Sequence, residues 1–366
     1  MKRNLENPFV VIGYKSPEYF CDREKETQGL MMHLKGGNNV TLMSPRRMGK
    51  TCLIHHVFNK LKEENPSSVA IYVDLMPTGS LVDLARVFSV AVIETMGASS
   101  VFSRLRPTVS FDPVTGSPKI SVDIAPGEET STVEQLLSYI GSCGKTCYIA
   151  FDEFQQIAQY PEKNVEAILR SKIQFLQNAH FVFAGSNLPM LSEMFISAKR
   201  PFYSSTSLMN IGPIACDSYY PFASAFFTRS GRTLPQEVFA TLYDRFEGHT
   251  WYIQKVLNRL YSNVSGNIDD VEVQRAVDDI VAENEYYYQA LLRAYSKGQG
   301  KLLRAVAKEG RVTEILSGSF ISKYGLSATS SVRGALKRLV DEEVIYRESR
   351  GYMVYDRFMA DWLRKD

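Results

Sequence analysis

The sequence predicts an α/β chain in three parts: a parallel sheet covered by helices over 1–214, a helical lid or arm over 215–296, and a small helix-and-wing unit over 297–366. Three observations predict it. Short, nearly unbroken apolar runs alternate with amphipathic stretches as far as residue 214, the pattern of strands buried on both faces and separated by helices. From Asp217 onward only helical periodicity remains. Near the end, two helical stretches precede an alternating run interrupted by Ser349, Arg350 and Gly351, as in a two-stranded wing.

The elements follow in order. Residues 38–44 (NNVTLMS) form a short apolar strand that runs into a glycine-containing loop. The helix after it carries Leu53, Val57, Phe58 and Leu61 on one side. Residues 68–75 form the next strand, 80–97 a helix, 132–143 another helix, and 146–154 (TCYIAFDEF) a buried strand closed by two acids. A helix over 165–178, a strand over 179–186 and a last strand over 206–214 complete the sheet region. Residues 106–129 break the rhythm. Two alternating runs flank DPVTG, which predicts an antiparallel hairpin. It is either a surface decoration or a contact for a partner or a second copy, since inserted loops often carry function. Four amphipathic stretches, 217–231, 235–248, 250–263 and 271–296, then make the helical segment.

Composition bounds the reading. The chain has 366 residues, 45% of them hydrophobic, enough for two or three domains with real cores. A formal charge of +2 selects no class of partner. No apolar run approaches a membrane span, and the first twenty residues are too broken by polar groups for a secretory signal, so a cytoplasmic protein without a membrane partner is expected. The five cysteines (Cys21, Cys52, Cys143, Cys147 and Cys216) are odd in number and scattered, which argues against a disulfide framework. The close pair in CGKTC has no second Cys/His pair nearby to complete a tetrahedral metal site.

The chemistry lies in two stretches. MSPRRMGKTC, between strand and helix, ends in the G-K-[ST] of a phosphate-binding loop, with Ser44 where that pattern has its first glycine. Serine is small, and Pro45 restricts it to extended geometry, so the loop is expected to form with slightly altered shape. The loop Ser44, Pro45, Arg46, Arg47, Met48, Gly49, Lys50, Thr51 and Cys52 would cradle a phosphate tail at a helix N-terminus, through the backbone N–H of every residue but the proline. Lys50 would reach the β/γ phosphates and the Thr51 hydroxyl would ligate Mg²⁺, while Arg46 and Arg47 position phosphate or neighbouring acids. The second stretch places Asp152 and Glu153 at a strand tip, where parallel sheets bind ligands. Asp152 would hold the metal through water, and Glu153 would deprotonate an attacking water. Ser186 and Asn187, at the tip of a further strand, are placed to touch the γ-phosphate or that water. Arg200, beside Lys199, is either a positive finger for phosphoryl transfer or part of a solvated basic loop.

This set resembles the archaeal-type P-loop ATPases of the AAA+/STAND group. SPRRMGKT resembles the family's phosphate loop, IAFDEF its acid-bearing strand and FVFAGSN its sensor strand. YFCDREKE resembles its leading motif, which places an arginine and a glutamate, here Arg23 and Glu26, before the first strand and assigns Arg23 to the site. FEGHTWYIQ resembles its G-x-P helix start, with Thr250 in place of proline. The resemblance covers most of the chain and implies ATP and Mg²⁺ as ligands, strand order 5-1-4-3-2, and a winged domain. Gly248 permits a sharp turn into a helix whose N-terminus attracts phosphate, and His249 is there either a ligand contact or a simple cap.

The last unit has the layout of a winged helix-turn-helix. Val332, Ala335, Leu336, Leu339 and Val340 form one apolar stripe of its second helix, and Ser330, Arg333 and Lys337 face away. Recognition helices present such residues to a DNA groove. Asp341, Glu342 and Glu343 follow at once, so a protein partner stays open beside DNA. The sequence therefore reads as a slow, ATP-driven switch. The alternatives are a nucleotide-gated module that does not hydrolyse and a DNA-binding regulator whose loop only stabilises the fold.

Overall fold

In the computed structural model, residues 7–97, 107–111, 118–348 and 351–365 are described. The chain divides into two compact units. One comprises Val10–Tyr219 and His249–Trp251, the other Met1–Phe9, Tyr220–Gly248 and Tyr252–Asp366.

The first unit contains α1 (Glu24–Lys35), β1 (Val40–Met43), α2 (Lys50–Glu64), β2 (Val69–Asp74), α3 (Leu81–Met96), β3 (Pro107–Phe111), β4 (Pro118–Val122), α4 (Glu129–Ser142), β5 (Cys147–Asp152), α5 (Val165–Ile173), β6 (Ala179–Gly185), α6 (Leu188–Ile196) and β7 (Ser207–Asn210). Its sheet runs β2-β5-β6-β1-β7, all parallel. Counting the five sheet strands alone in chain order, this is the expected 5-1-4-3-2 read from the other edge. β6 therefore separates the strand that enters the glycine loop from the strand that ends in the two acids.

Burial explains the apolar runs. β1 and β5 are buried along their whole length. One sheet face packs Ile71, Val73, Phe151, Phe181 and Phe183 against Leu84, Phe88, Leu136 and Leu169 from the helices. The other packs Val40, Leu42, Ala150 and Val182 against Leu30, Leu34, Leu53 and Val57. Ser80 caps α3 by accepting from the Asp83 amide, and Gly97 ends it with φ +83°. The helix expected over 165–178 is shorter, closing at Ile173. β3 and β4 pair antiparallel, Pro107 opposite Val122. Their turn, 112–117, lies outside the described residues.

The second unit holds the greater part of α7 (Cys216–Arg229), then α8 (Gln236–Arg245), α9 (Thr250–Asn263) apart from its first two residues, α10 (Asp270–Glu283), α11 (Glu285–Arg293), α12 (Lys297–Glu309), α13 (Gly318–Lys323), α14 (Thr329–Asp341), β8 (Ile345–Glu348), β9 (Gly351–Val354) and α15 (Arg357–Lys365). The stretch 271–296, expected as one helix, is two. Asn284 ends α10, and its side-chain amide donates to the Ile280 carbonyl (2.7 Å), satisfying an acceptor the helix end would leave open. α12 begins with a full capping box, Ser296 with Gln299. β8 and β9 form the wing, with its tip residues 349 and 350 outside the described range. The helical segment and the wing share one core. Phe246 stacks on Tyr252 at 5.4 Å, Phe358 packs edge-on against both, and the Tyr252 hydroxyl donates to the Tyr355 carbonyl (3.1 Å). No helix among the described residues is long and apolar enough to cross a membrane.

Candidate nucleotide site

β1 ends at Met43 and α2 begins at Lys50, so Ser44 to Gly49 must turn the chain in six residues. Two of them sit in the left-handed region, Arg47 (φ +64°) and Gly49 (φ +92°). Ser44 does not. The backbone there needs no glycine, and the serine hydroxyl folds onto the Pro45 carbonyl (3.0 Å). Arg47, a non-glycine in a costly conformation, is held from outside. Its carbonyl accepts the Trp251 amide (3.3 Å), and its guanidinium lies 4.1 Å over the Trp251 ring. Arg23, itself at φ +75° and 3% exposed, braces the loop through the Met48 carbonyl (3.0 Å) and Glu26 (2.9 Å). It reaches the loop's backbone. The Cys52 thiol donates to the Gly13 carbonyl (3.6 Å).

Lys50 is 5% exposed, and among the described residues its ammonium donates to the Ser44 and Pro45 carbonyls alone (3.1 and 3.4 Å). Burial lowers its pKa, against the pull of Glu153 and Asp152. No carboxylate lies within ion-pair distance of it among the described residues. A buried ammonium served by carbonyls alone fits an anion.

The acids close the site from β5. Asp152 accepts from the Thr51 hydroxyl (2.7 Å) and the Tyr72 hydroxyl (2.8 Å) on one oxygen, and from the Glu153 amide (3.0 Å) on the other. Burial and the Asp152 charge push the Tyr72 phenol well above its ordinary range, so it stays a donor. His55 packs beside it at a tilt, ring centroids 4.6 Å apart and planes 39° from parallel. A buried carboxylate joined to a threonine hydroxyl is a donor set suited to Mg²⁺.

Glu153 turns out of the strand with φ +53°. Its Oε2 accepts from Ser186 Oγ (2.7 Å) and from Gln155 Nε2 (2.6 Å), while Arg46 Nε donates to Ser186 Oγ (3.3 Å). The structure thus brings together Arg46, Lys50, Thr51, Asp152, Glu153 and Ser186. Gln155, 3% exposed, lies against Gly185: a Cβ on that glycine would sit 2.0 Å from Gln155 Oε1. Gly185→Ala is therefore expected to expel the amide from behind Glu153 and cost about 1–3 kcal/mol, an overpacking penalty that a denaturant melt reads directly.

The remaining expected residues have these partners and places. Arg200 does not approach the loop. It is bound to Glu166, whose carboxyl burial has raised, and to Glu193 (3.6 Å). A buried acid demands a cation, and Arg200 supplies it. Asn187 caps α6 by accepting from the Met190 amide (3.2 Å). Gly248 (φ +70°) closes the second unit's segment, and His249 belongs to the first. Thr250 opens α9, the first-turn position that proline would fill, and its carbonyl accepts from the Tyr219 hydroxyl (3.5 Å). Ser330, Arg333 and Lys337 are exposed on α14, with Val332, Leu336 and Leu339 buried behind them. Tyr72, Gln155 and Trp251 were not legible as site residues. Tyr72, the one hydroxyl in an apolar strand that ends in an acid, was the nearest to a signal.

The family model described as a probable winged helix domain matches residues 286–365. No curated protein matches the sequence. Among solved structures, the Walker-type ATPase PABY2304 of Pyrococcus abyssi is similar over 98% of this chain and 99% of that one, with a TM-score of 0.66 and 18% identity. The Aeropyrum pernix ORC2 protein, solved in ADPNP–ADP complexes, covers 98% and 95% (TM-score 0.60, 15% identity). The Aeropyrum pernix ORC1 protein, solved in complex with DNA, covers 98% and 96% (TM-score 0.57, 15% identity). The sheet order, the loop and its acids, and these likenesses converge: this chain has the P-loop fold of the archaeal Walker-type ATPases, followed by a winged-helix domain.

Proposed function

We propose that the chain is a Mg²⁺-dependent ATPase whose bound nucleotide sets the state of its winged-helix domain. The observation that carries the reading is the 2.7 Å contact between Thr51 and Asp152, which joins the phosphate loop's helix to the acid strand, with Glu153 next in sequence. Lys50 and the loop amides would hold the phosphates, and Thr51 and Asp152 would hold the metal. Mg²⁺ there would neutralise charge on the transferred phosphoryl group. Glu153, steadied by Ser186 and Gln155, would take the proton of the attacking water. Release of phosphate from ATP, measured with and without Mg²⁺, tests the reading. A preparation that releases none under either condition refutes it.

The switch rests on two sets of contacts joined by the three residues Gly248, His249 and Thr250. Within the first unit, Arg47 of the loop holds Trp251 at the start of α9. Within the second, Glu247 accepts from Arg311 (2.6 Å) and Arg357 (2.5 Å) of the winged region. Burial alone would raise the Glu247 carboxyl; the two arginines together hold it below its ordinary range. A nucleotide shifts such an equilibrium only by binding its two states unequally. Hydrogen exchange beyond Lys297 should therefore differ between nucleotide-free, ADP-bound and ATP-analogue-bound protein. Three identical protection maps would leave an ATPase with a tethered domain.

For the output, we favour DNA. Arg333 and Lys337 stand exposed on α14, and a structure of the same fold was solved with DNA. Binding to duplex DNA should weaken steeply as salt rises, because phosphate contacts release counterions. Absence of DNA binding at low salt would turn the search to a protein partner.

A further inference from the structure

The pair of thiols in CGKTC takes no part in nucleotide chemistry, yet the fold holds it in a defined geometry. Cys143 ends α4 and Cys147 opens β5, and their sulfurs lie 3.5 Å apart. Asn178 fixes both sides. Its side-chain amide donates to the carbonyls of Ile140 (2.8 Å) and Lys145 (2.9 Å), and its own carbonyl accepts the Cys147 amide (2.7 Å). Gly144, with φ +68°, makes the turn between them. Cys147 is fully buried, whereas Cys143 is half-buried. Among the described residues no group of three or more His, Cys, Asp or Glu could hold a metal ion, so the chemistry available is that of two thiols.

We propose that Cys143 and Cys147 form a redox modification site, a dithiol that a low-molecular-weight disulfide of the glutathione class oxidises to an internal disulfide. The sulfurs need to close by only about 1.5 Å to reach bonding distance, and the braced turn removes most of the search for the partner. Cys143, the reachable thiol, loses its proton and attacks the small disulfide. A mixed disulfide forms and one small thiolate leaves, taking up a proton from water. Cys147 then loses its proton and attacks Cys143 Sγ, expelling the second small thiol. Two protein thiols are oxidised and one small disulfide is reduced to two thiols. The protein loses two hydrogens. Burial and the neighbouring Cys143 push the Cys147 thiol up to about 12, so the second step is the slow one.

The test uses the intact chain. Wild-type protein is incubated with glutathione disulfide at neutral pH, quenched by alkylation in denaturant, and analysed by intact mass and tryptic mapping. Free thiols should fall from five to three. Trypsin cuts after Lys145, between the two cysteines, so their peptides should travel together until a reductant parts them. Cys143→Ser should lose the linked pair and keep its four remaining thiols free of internal bonds. Five thiols remaining in the wild type would overturn the proposal. So would a stable glutathione adduct without linkage, or linkage to Cys21, Cys52 or Cys216.

Discussion

Lys50→Ala should abolish usable ATP affinity, weakening it by at least about 30-fold, the lower end of what truncating one member of a buried charged contact costs. The ammonium has no ion-pair partner among the described residues and is 5% exposed, so its burial is unfavourable until an anion arrives. Titration calorimetry with ATP and Mg²⁺ reads the loss; unchanged affinity would remove Lys50 from the site. The same burial makes a second, opposite prediction. Lys50→Met should raise the stability of the nucleotide-free protein, because an apolar chain replaces a buried charge that Glu153 and Asp152 offset only in part. The pH dependence follows from linkage. The Lys50 pKa is depressed below 10.5 in the folded state, so between the two values the unfolded chain binds more protons and stability rises with pH. The penalty is complete below the folded value and disappears as pH rises towards 10.5. The advantage of Lys50→Met should therefore shrink over that alkaline window. A residue that lowers stability and raises affinity is a binding residue rather than a core one.

Glu153→Gln should leave ATP bound with affinity within a few-fold of wild type and slow phosphate release by about 10²–10⁴, the usual contribution of a general base. The amide oxygen can still accept from Ser186 and Gln155, so the local structure should persist. Asp152→Asn should behave differently. It keeps the shape that meets Thr51 and Tyr72 but lacks the charge, so the Mg²⁺ requirement of binding should weaken first. Single-turnover phosphate release, alongside binding with and without Mg²⁺, separates the two. Hydrolysis by Glu153→Gln at the wild-type rate would assign the proton to another group.

What the sequence disclosed follows from how local the signals are. The phosphate loop and the two acids announce themselves because each occupies a strand end beside characteristic neighbours, and the strands because burial on both faces leaves them almost no polar residues. The braces are non-local. Gln155 supports Glu153 only because β6 offers a glycine thirty residues later, and Trp251 supports Arg47 from two hundred residues away. No periodicity reports such pairs. Arg200 shows the converse: a basic residue before the last strand looks available until the fold sets Glu166 against it. The break at Asn284 was equally hidden, since apolar spacing continues through it while the backbone does not.

Ser44 bears on how sites of this kind are searched for. The usual pattern asks for glycine twice, as though both positions made the same demand. In this chain they do not. Position 49 requires a left-handed backbone and holds glycine, whereas position 44 lies outside the left-handed region, is 1% exposed, and requires only a small side chain. A database pattern that insists on glycine at both would discard this loop. One that accepts any small residue at the first and keeps glycine at the second would retain it, along with other chains passed over for the same reason.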